Sequence, residues 1–234
     1  MATGPGKKSS VLGLIPAKGG SQRLARKNVL PLGGKPLLQW AVDAALQSGV
    51  LDRLIVSTED TEIAEVARKL GAEVPFLRPA HLAKDPYGVV DVGLHALETL
   101  REAGQAYHTL VILLPTCPLR TAEDIAGAYR QFREAGAESL MSVALCDHTP
   151  FTALKLEGTR LSHWFPEYLG AKPGGLPAAY RPNGAIHVLD VESFERKKSY
   201  TAQPLMGYLM PPERSVDVDT FQDLAMAEVL LAGR

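Results

Sequence analysis

Short apolar runs alternate with amphipathic segments through the first 145 residues, and this alternation constrains the fold more than any other feature. Val11–Ile15, Arg53–Ser57, Glu73–Phe76, Leu110–Leu114 and Ser139–Leu145 have the length and branched character of buried strands. Pro36–Ser48, Asp60–Leu70, Val89–Glu102 and Thr121–Ala135 carry apolar residues at helical spacing. Ile63, Val66, Ala67 and Leu70 share one helical face and Gly71 stops it; Pro36 opens a helix that Gly49 closes; Thr121 and Asp124 form a capping pair. Strand and helix in turn predict an α/β fold with a mostly parallel, Rossmann-like sheet covered by helices on both faces. Ligands of such sheets sit outside the carboxyl ends of the strands.

The rhythm breaks after about residue 150. Phe151–Tyr180 mixes glycines and prolines with Trp164, Phe165, Tyr168 and Leu169, too irregular for a core and too apolar for water. It reads as a projecting arm that a two-fold partner would bury, making the chain a homodimer. Strands follow at Ala185–Leu189 and Pro204–Met210, and Asp219–Leu231 is the closing helix. The expected organisation is a disordered N-terminus over 1–10, an α/β core over 11–150, the arm over 151–182, and completion of the core over 183–234. A net charge of −1 excludes a broad nucleic-acid-binding field. The two cysteines, Cys117 and Cys146, make no C-x-x-C motif and read as small core residues of a protein in a reducing, cytoplasmic setting. No membrane span and no signal peptide are expected.

Two stretches carry chemistry. After the first strand the chain reads PAKGGSQRLARKN. Gly19 and Gly20 let the backbone approach an anion, and Lys18, Arg23, Arg26 and Lys27 neutralise it; the best candidate is a nucleoside triphosphate, the alternative a solvated basic turn. The loop is neither a Walker loop nor G-x-G-x-x-G. Near the other end, Ser215-Val216-Asp217-Val218-Asp219 places two carboxylates on one face of an extended segment, which suits Mg²⁺. Alternatively Asp219 caps the last helix with Gln222. Asp217-Val218-Asp219 also reads as the D-x-D of a metal-dependent glycosyltransferase; the cationic loop favours a triphosphate instead. His187 reads as packed against the sheet.

IPAKGGSQRLARKN, LLPTCPLR, RPNGAIHV and SVDVDTFQDLAMAE resemble, in order, four motifs of the acylneuraminate cytidylyltransferase family. The resemblance implies a nucleotidyltransferase that joins a 2-keto sugar acid to CMP, using CTP and Mg²⁺ and releasing pyrophosphate, with dimers formed through the arm. It implies that Ala17, Lys18, Gly19, Gly20, Ser21, Arg23, Lys27 and Asn28 hold the triphosphate and ribose, with Arg78 and Asp85 on the base side. Leu114, Pro115, Thr116, Thr152, Arg181, Asn183, Gly184 and Asp217 fall on the sugar side. Asp217 and Asp219 match the metal carboxylates, and with Lys18 and Lys27 they form the catalytic set. The chain departs from the pattern at several points. Lys18 replaces an arginine, Gln22 a lysine, Leu114 a glutamine and Thr152 a lysine, and KDPYGV (residues 84–89) replaces a serine-rich segment. The expected substrate is sialic acid or a related nonulosonic acid; because these departures remove polar groups on the sugar and base sides, another sugar or nucleotide is the alternative. No dedicated general base is evident.

Overall fold

In the computed structural model, which describes residues 10–21 and 23–233, the alternation becomes β1 (Val11–Pro16), α1 (Leu37–Gln47), β2 (Arg53–Ser57), α2 (Thr61–Lys69), α3 (Val89–Glu102), β3 (Thr109–Ile112), α4 (Ala122–Ala135) and β4 (Ser139–Leu145). The arm holds a hairpin of β5 (Leu154–Glu157) and β6 (Arg160–His163). Then β7 (Tyr180–Asp190), α5 (Val191–Lys197), β8 (Leu205–Leu209) and α6 (Phe221–Ala232) complete the chain. The main sheet has the order β8-β4-β7-β3-β1-β2. Strand β1 runs parallel to β2 and β3, and β8 parallel to β4.

Several expectations change. β7 spans eleven residues, not five, and runs antiparallel between β3 and β4. The reason is topological. The arm leaves from the carboxyl end of β4, so the returning strand must enter the sheet from that same end. Glu73–Phe76 makes only one bridge, Glu73 to Ile55, because Pro75 has no N–H to continue the ladder. Pro36 is the N-cap of α1 and not its first residue. Helix α6 is capped by Thr220 with Asp223, not by Asp219 with Gln222. The expected disorder of the N-terminus falls on residues 1–9, outside those described; the backbone carbonyl of Ser10 already accepts from His108 and Thr109. Among the described residues no helix is long and apolar enough to cross a membrane.

Alternation along β1 sends Val11 and Ile15 to one face of the sheet and Leu12 and Leu14 to the other. The first face packs on α1, α2 and α4 through Ala41, Ile63 and Ile125; the second packs on α3 and α5 through Leu97 and Phe194. Each fully buried aliphatic side chain here contributes about 1.5–3 kcal/mol. A third apolar cluster decides the site. Leu24 from the basic loop, Leu119 from the LLPTCPLR turn, Val218 between the two carboxylates and Ala227 from α6 bury against Leu32 and Leu37. Segments nearly 200 residues apart in sequence are welded together by it (Leu24 to Val218). Near its root the arm packs on itself, where Phe151 meets Phe165 at 5.5 Å and Tyr168 at 4.7 Å between ring centroids.

Candidate active site

The basic loop leaves the carboxyl end of β1 with its backbone tied down. The Ala17 N–H donates to Ser57 O at 2.9 Å, and the Gly19 N–H donates to Glu59 Oε1 at 2.7 Å. The other oxygen of Glu59 accepts from Arg78 Nη2 at 2.6 Å, and Arg78 is only 4% exposed. Burial acts to raise the Glu59 carboxyl, but Arg78 and the Gly19 amide overcome it and hold it below the usual range. Gly19 is required by contact: a Cβ there would lie 2.5 Å from Asp60 Oδ2. Asp60 itself caps α2 by accepting from Ile63 N–H at 3.0 Å and pairs with Arg26 at 2.5 Å. Asn28 is buried, and its side-chain amide donates to Lys18 O at 2.8 Å. Lys18 itself is exposed and makes no ion pair among the described residues.

This loop walls a cleft of about 840 Å³, into which Lys18, Gly20, Ser21, Lys27, Asp85 and Asp219 project. A smaller pocket of about 180 Å³ shares Lys18 and Lys27 with it and continues between Asn28, Tyr87, Leu114, Pro115 and Thr116.

The carboxylate segment is pinned from both sides. Val218 is fully buried, and its N–H donates to Thr116 O at 2.7 Å. Its neighbours Asp217 and Asp219 therefore face away from the apolar cluster. Asp219 takes Arg23 Nη2 on one oxygen at 2.5 Å and Lys27 Nζ on the other at 2.7 Å. Asp217 stands beside Thr116 and Gly184, its Oδ2 4.0 Å from where a Gly184 Cβ would be. Surrounding protein pushes the Asp217 carboxyl up and the Asp219 charge adds to the push, against a Thr116 hydrogen bond and the Lys27 charge. A pair of carboxylates whose charges disfavour each other beside a phosphate-sized cationic cleft fits a hard divalent cation. Among the described residues no group of three or more His, Cys, Asp or Glu forms a closed metal cage.

One half-buried ion pair holds the carboxylate segment to the core. Arg214 grips Asp124 in a fork, Nε to Oδ2 and Nη2 to Oδ1, each 2.9 Å. Burial acts to raise the Asp124 carboxyl, but Arg214 and the Thr121 N–H hold it below its ordinary value. A depressed carboxyl stabilises the fold above the unfolded pKa, and the contribution is lost as pH falls through the folded one. Asp124→Asn should therefore cost about 2–3 kcal/mol at neutral pH. The gap from wild type should close below about pH 4 in denaturant titrations. A constant gap across that range would show that the fork contributes nothing.

On the sugar side the structure separates the candidates. Leu114, Pro115 and Thr116 line the small pocket. Gly184 adopts φ +72°, a left-handed value, and a Cβ there would crowd Leu114 at 3.3 Å. Asn183 is 2% exposed, and its side chain is used internally. It accepts from Ser142 Oγ at 2.6 Å and donates to Ser215 Oγ at 2.9 Å, bracing β7 to the carboxylate segment. Thr152 sits at the root of the arm with its hydroxyl donating to Thr149 O at 3.1 Å. Arg181, opposite Ala144 on β4, is half-buried and makes no ion pair among the described residues. Neither Thr152 nor Arg181 lines the cleft or the pocket.

Three residues that matter were missed by sequence reasoning. Glu59 and Asp60 organise the glycine loop, and their signal was two adjacent carboxylates just past a strand. Arg120, 3% exposed, donates from Nη1 to Ala185 O at 2.6 Å and to Leu114 O at 3.2 Å, tying the LLPTCPLR turn to β7. Burial lowers its pKa to about 10. It is the sole charge in that motif, which was the available signal. Cys117 is a core residue: burial pushes its thiol up to about 12, and Sγ donates to Asn183 O at 3.1 Å. His187 is packed as expected, lowered to about 4 by burial and edge-on to Tyr200.

Comparison with known proteins agrees with this geometry. The cytidylyltransferase family profile matches residues 12–151. Pseudaminic acid cytidylyltransferase of Campylobacter jejuni is 30% identical over 93% of this chain and 94% of its own length. CMP-N,N'-diacetyllegionaminic acid synthase of Legionella pneumophila is 31% identical over 94% of this chain and 96% of its own. The solved structure of a CMP:2-keto-3-deoxy-manno-octonic acid synthetase complexed with CTP shares the fold, with a TM-score of 0.71, 18% identity, and coverage of 96% of this chain and 99% of the other. Shared fold, family profile and full-length similarity thus agree, and the chain belongs to the cytidylyltransferase family, in the acylneuraminate group that its four motifs resemble.

Proposed function

We propose that the chain transfers CMP from CTP to a nonulosonic acid, a nine-carbon 2-keto sugar acid, and releases pyrophosphate. The observation that carries this reading is the Asp217–Asp219 pair held over a glycine-rich cationic loop at the carboxyl end of β1. Lys18, Ser21 and Lys27 receive the triphosphate in the large cleft. The base lies toward Asp85 in the same cleft, and the sugar acid takes the small pocket of Leu114, Pro115 and Thr116, on the side of Gly184 and Asp217. Asp217 and Asp219 would hold Mg²⁺, which would neutralise phosphoryl charge and lower the pKa of the attacking hydroxyl. The sugar hydroxyl attacks the α-phosphorus in line and pyrophosphate departs. Positioning and charge stabilisation therefore dominate the catalysis. Lys27, whose side chain is only 12% exposed, exerts its charge where solvent screening is weak.

The leucine at 114, which lines the small pocket, favours a sugar acid other than sialic acid itself. Similarity to enzymes named for pseudaminic and diacetyllegionaminic acids supports that class. A D-x-D glycosyltransferase is the weaker reading, since a sugar-diphosphate donor has less need of the cationic loop. The enzyme works as a homodimer in the cytoplasm, where its free cysteines stay reduced.

Nucleoside triphosphates are to be screened against a panel of 2-keto sugar acids with Mg²⁺ and pyrophosphate detection. CTP with a pseudaminic- or legionaminic-type acid should give the highest turnover. Pyrophosphate release with no 2-keto acid but with a neutral sugar would overturn the substrate class.

A further inference from the structure

The cationic loop is largely neutralised by the protein's own carboxylates. Arg26 is paired with Asp60 at 2.5 Å, Arg23 with Asp219 at 2.5 Å and Lys27 with Asp219 at 2.7 Å. Lys18 alone of the loop's four cations makes no ion pair among the described residues. The two cations on Asp219 take different oxygens, Arg23 on Oδ2 and Lys27 on Oδ1. Both oxygens are thus engaged, and they are the same atoms that a divalent cation would need. Asp217 differs: no cation lies within ion-pair distance of it among the described residues. The Lys27–Asp219 pair is also partly sheltered, with side chains 12% and 28% exposed, so breaking it costs more than breaking a solvated pair.

We infer that Asp219 is an internal counter-ion of the triphosphate loop: it holds Arg23 and Lys27 away from the nucleotide until a divalent cation takes its oxygens. The inference rests on the reading of the cleft as a CTP site. Its consequence is linkage. A cation on Asp219 frees two basic side chains for the phosphates, and phosphates on those side chains free Asp219 for the cation. Each ligand must strengthen the other by the same factor. Asp219 is then a binding gate as well as a cation ligand, a role that Asp217 does not share.

Binding, not turnover, tests this. CTP affinity is measured by equilibrium dialysis in EDTA and again in Mg²⁺. In EDTA, Asp219→Asn should bind CTP roughly fivefold or more tighter than wild type. Asp217→Asn removes the same unit charge without freeing a cation and should gain far less. The gain should shrink when Asp219→Asn is made in a Lys27→Ala background. A second measurement is independent of that variant's folding. Mn²⁺ binding without nucleotide, read by electron paramagnetic resonance, should tighten in Lys27→Ala relative to wild type. Equal metal-free CTP affinity of Asp219→Asn and wild type overturns the inference, as does an equal gain in Asp217→Asn, or Mn²⁺ affinity unchanged by Lys27→Ala. A wild-type chain that binds no CTP even with Mg²⁺ overturns the nucleotide reading along with it, so the two failures are told apart.

Discussion

Asp217→Asn and Asp219→Asn should each lower turnover by on the order of 10²–10³-fold or more; Asp217→Asn should leave the melting temperature nearly unchanged, and Asp219→Asn should lower it only by the modest cost of losing its Arg23 and Lys27 pairs. The separation of activity from stability follows from the local geometry. Helix α6 is capped by Thr220, whose hydroxyl accepts from Asp223 N–H while Asp223 Oδ2 accepts from Thr220 N–H at 2.8 Å. Asp219 contributes only a backbone N–H to that cap, donated to Asp223 Oδ2 at 3.0 Å, and asparagine keeps it. The segment stays anchored by Val218 in the apolar cluster and by the Arg214–Asp124 fork. What the variants lose is the carboxylate charge facing the cleft. Pyrophosphate release under saturating CTP, with a thermal melt in parallel, measures both. A variant at position 219 that keeps wild-type turnover would place the cation elsewhere.

The second large effect concerns the arm. Leu156, Leu161 and Trp164 are 66%, 60% and 59% exposed, and Leu169 is 67% exposed. The hairpin β5–β6 thus does not lie back on its own sheet; every residue of its two strands is exposed. So much apolar surface on so short a segment marks an interface. We propose that a second copy covers it, and that Leu161→Glu with Trp164→Glu turns a dimer into a monomer. Two central apolar anchors replaced by charge should weaken association by at least about 100-fold. Light scattering at micromolar concentration reads the change in mass. A monomeric wild type, or a doubly charged variant that stays dimeric, would end the proposal.

The functional loop was legible in the sequence because its requirements are local. Glycines next to a strand end, four cations and an asparagine lie within a dozen residues, and β1 delivers them to the carboxyl edge of the sheet whatever the rest of the chain does. Thr121 with Asp124 could be read as a capping pair for the same reason: the partners are three residues apart. Asp219 could not be resolved in this way. Its reading as a helix cap and its reading as a cation ligand use the same residue type at the same position. Only the observed N-cap of α6, Thr220, one residue later than the expected Asp219, separates them.

The amino-acid sequence by itself determined the α/β class, the helices and strands of the first 145 residues apart from Glu73–Phe76, the catalytic family and the two charged stretches. Each depends on periodicity, on neighbours within a few residues, or on motif order. Tertiary structure alone decided the rest. The direction of β7 depends on which end of the sheet the arm leaves from. The inward use of Asn183 depends on Ser142 and Ser215, 41 and 32 residues away. The pairing of Arg23 and Lys27 with Asp219 spans 196 and 192 residues. Buried charges such as Arg78 and Arg120 look like ordinary surface residues in a sequence, because burial is set by everything that packs around them. Partners that far apart in the chain leave no local spacing to read, and only folding, by burying Leu24 and Val218 in one apolar cluster, brings them within reach of each other.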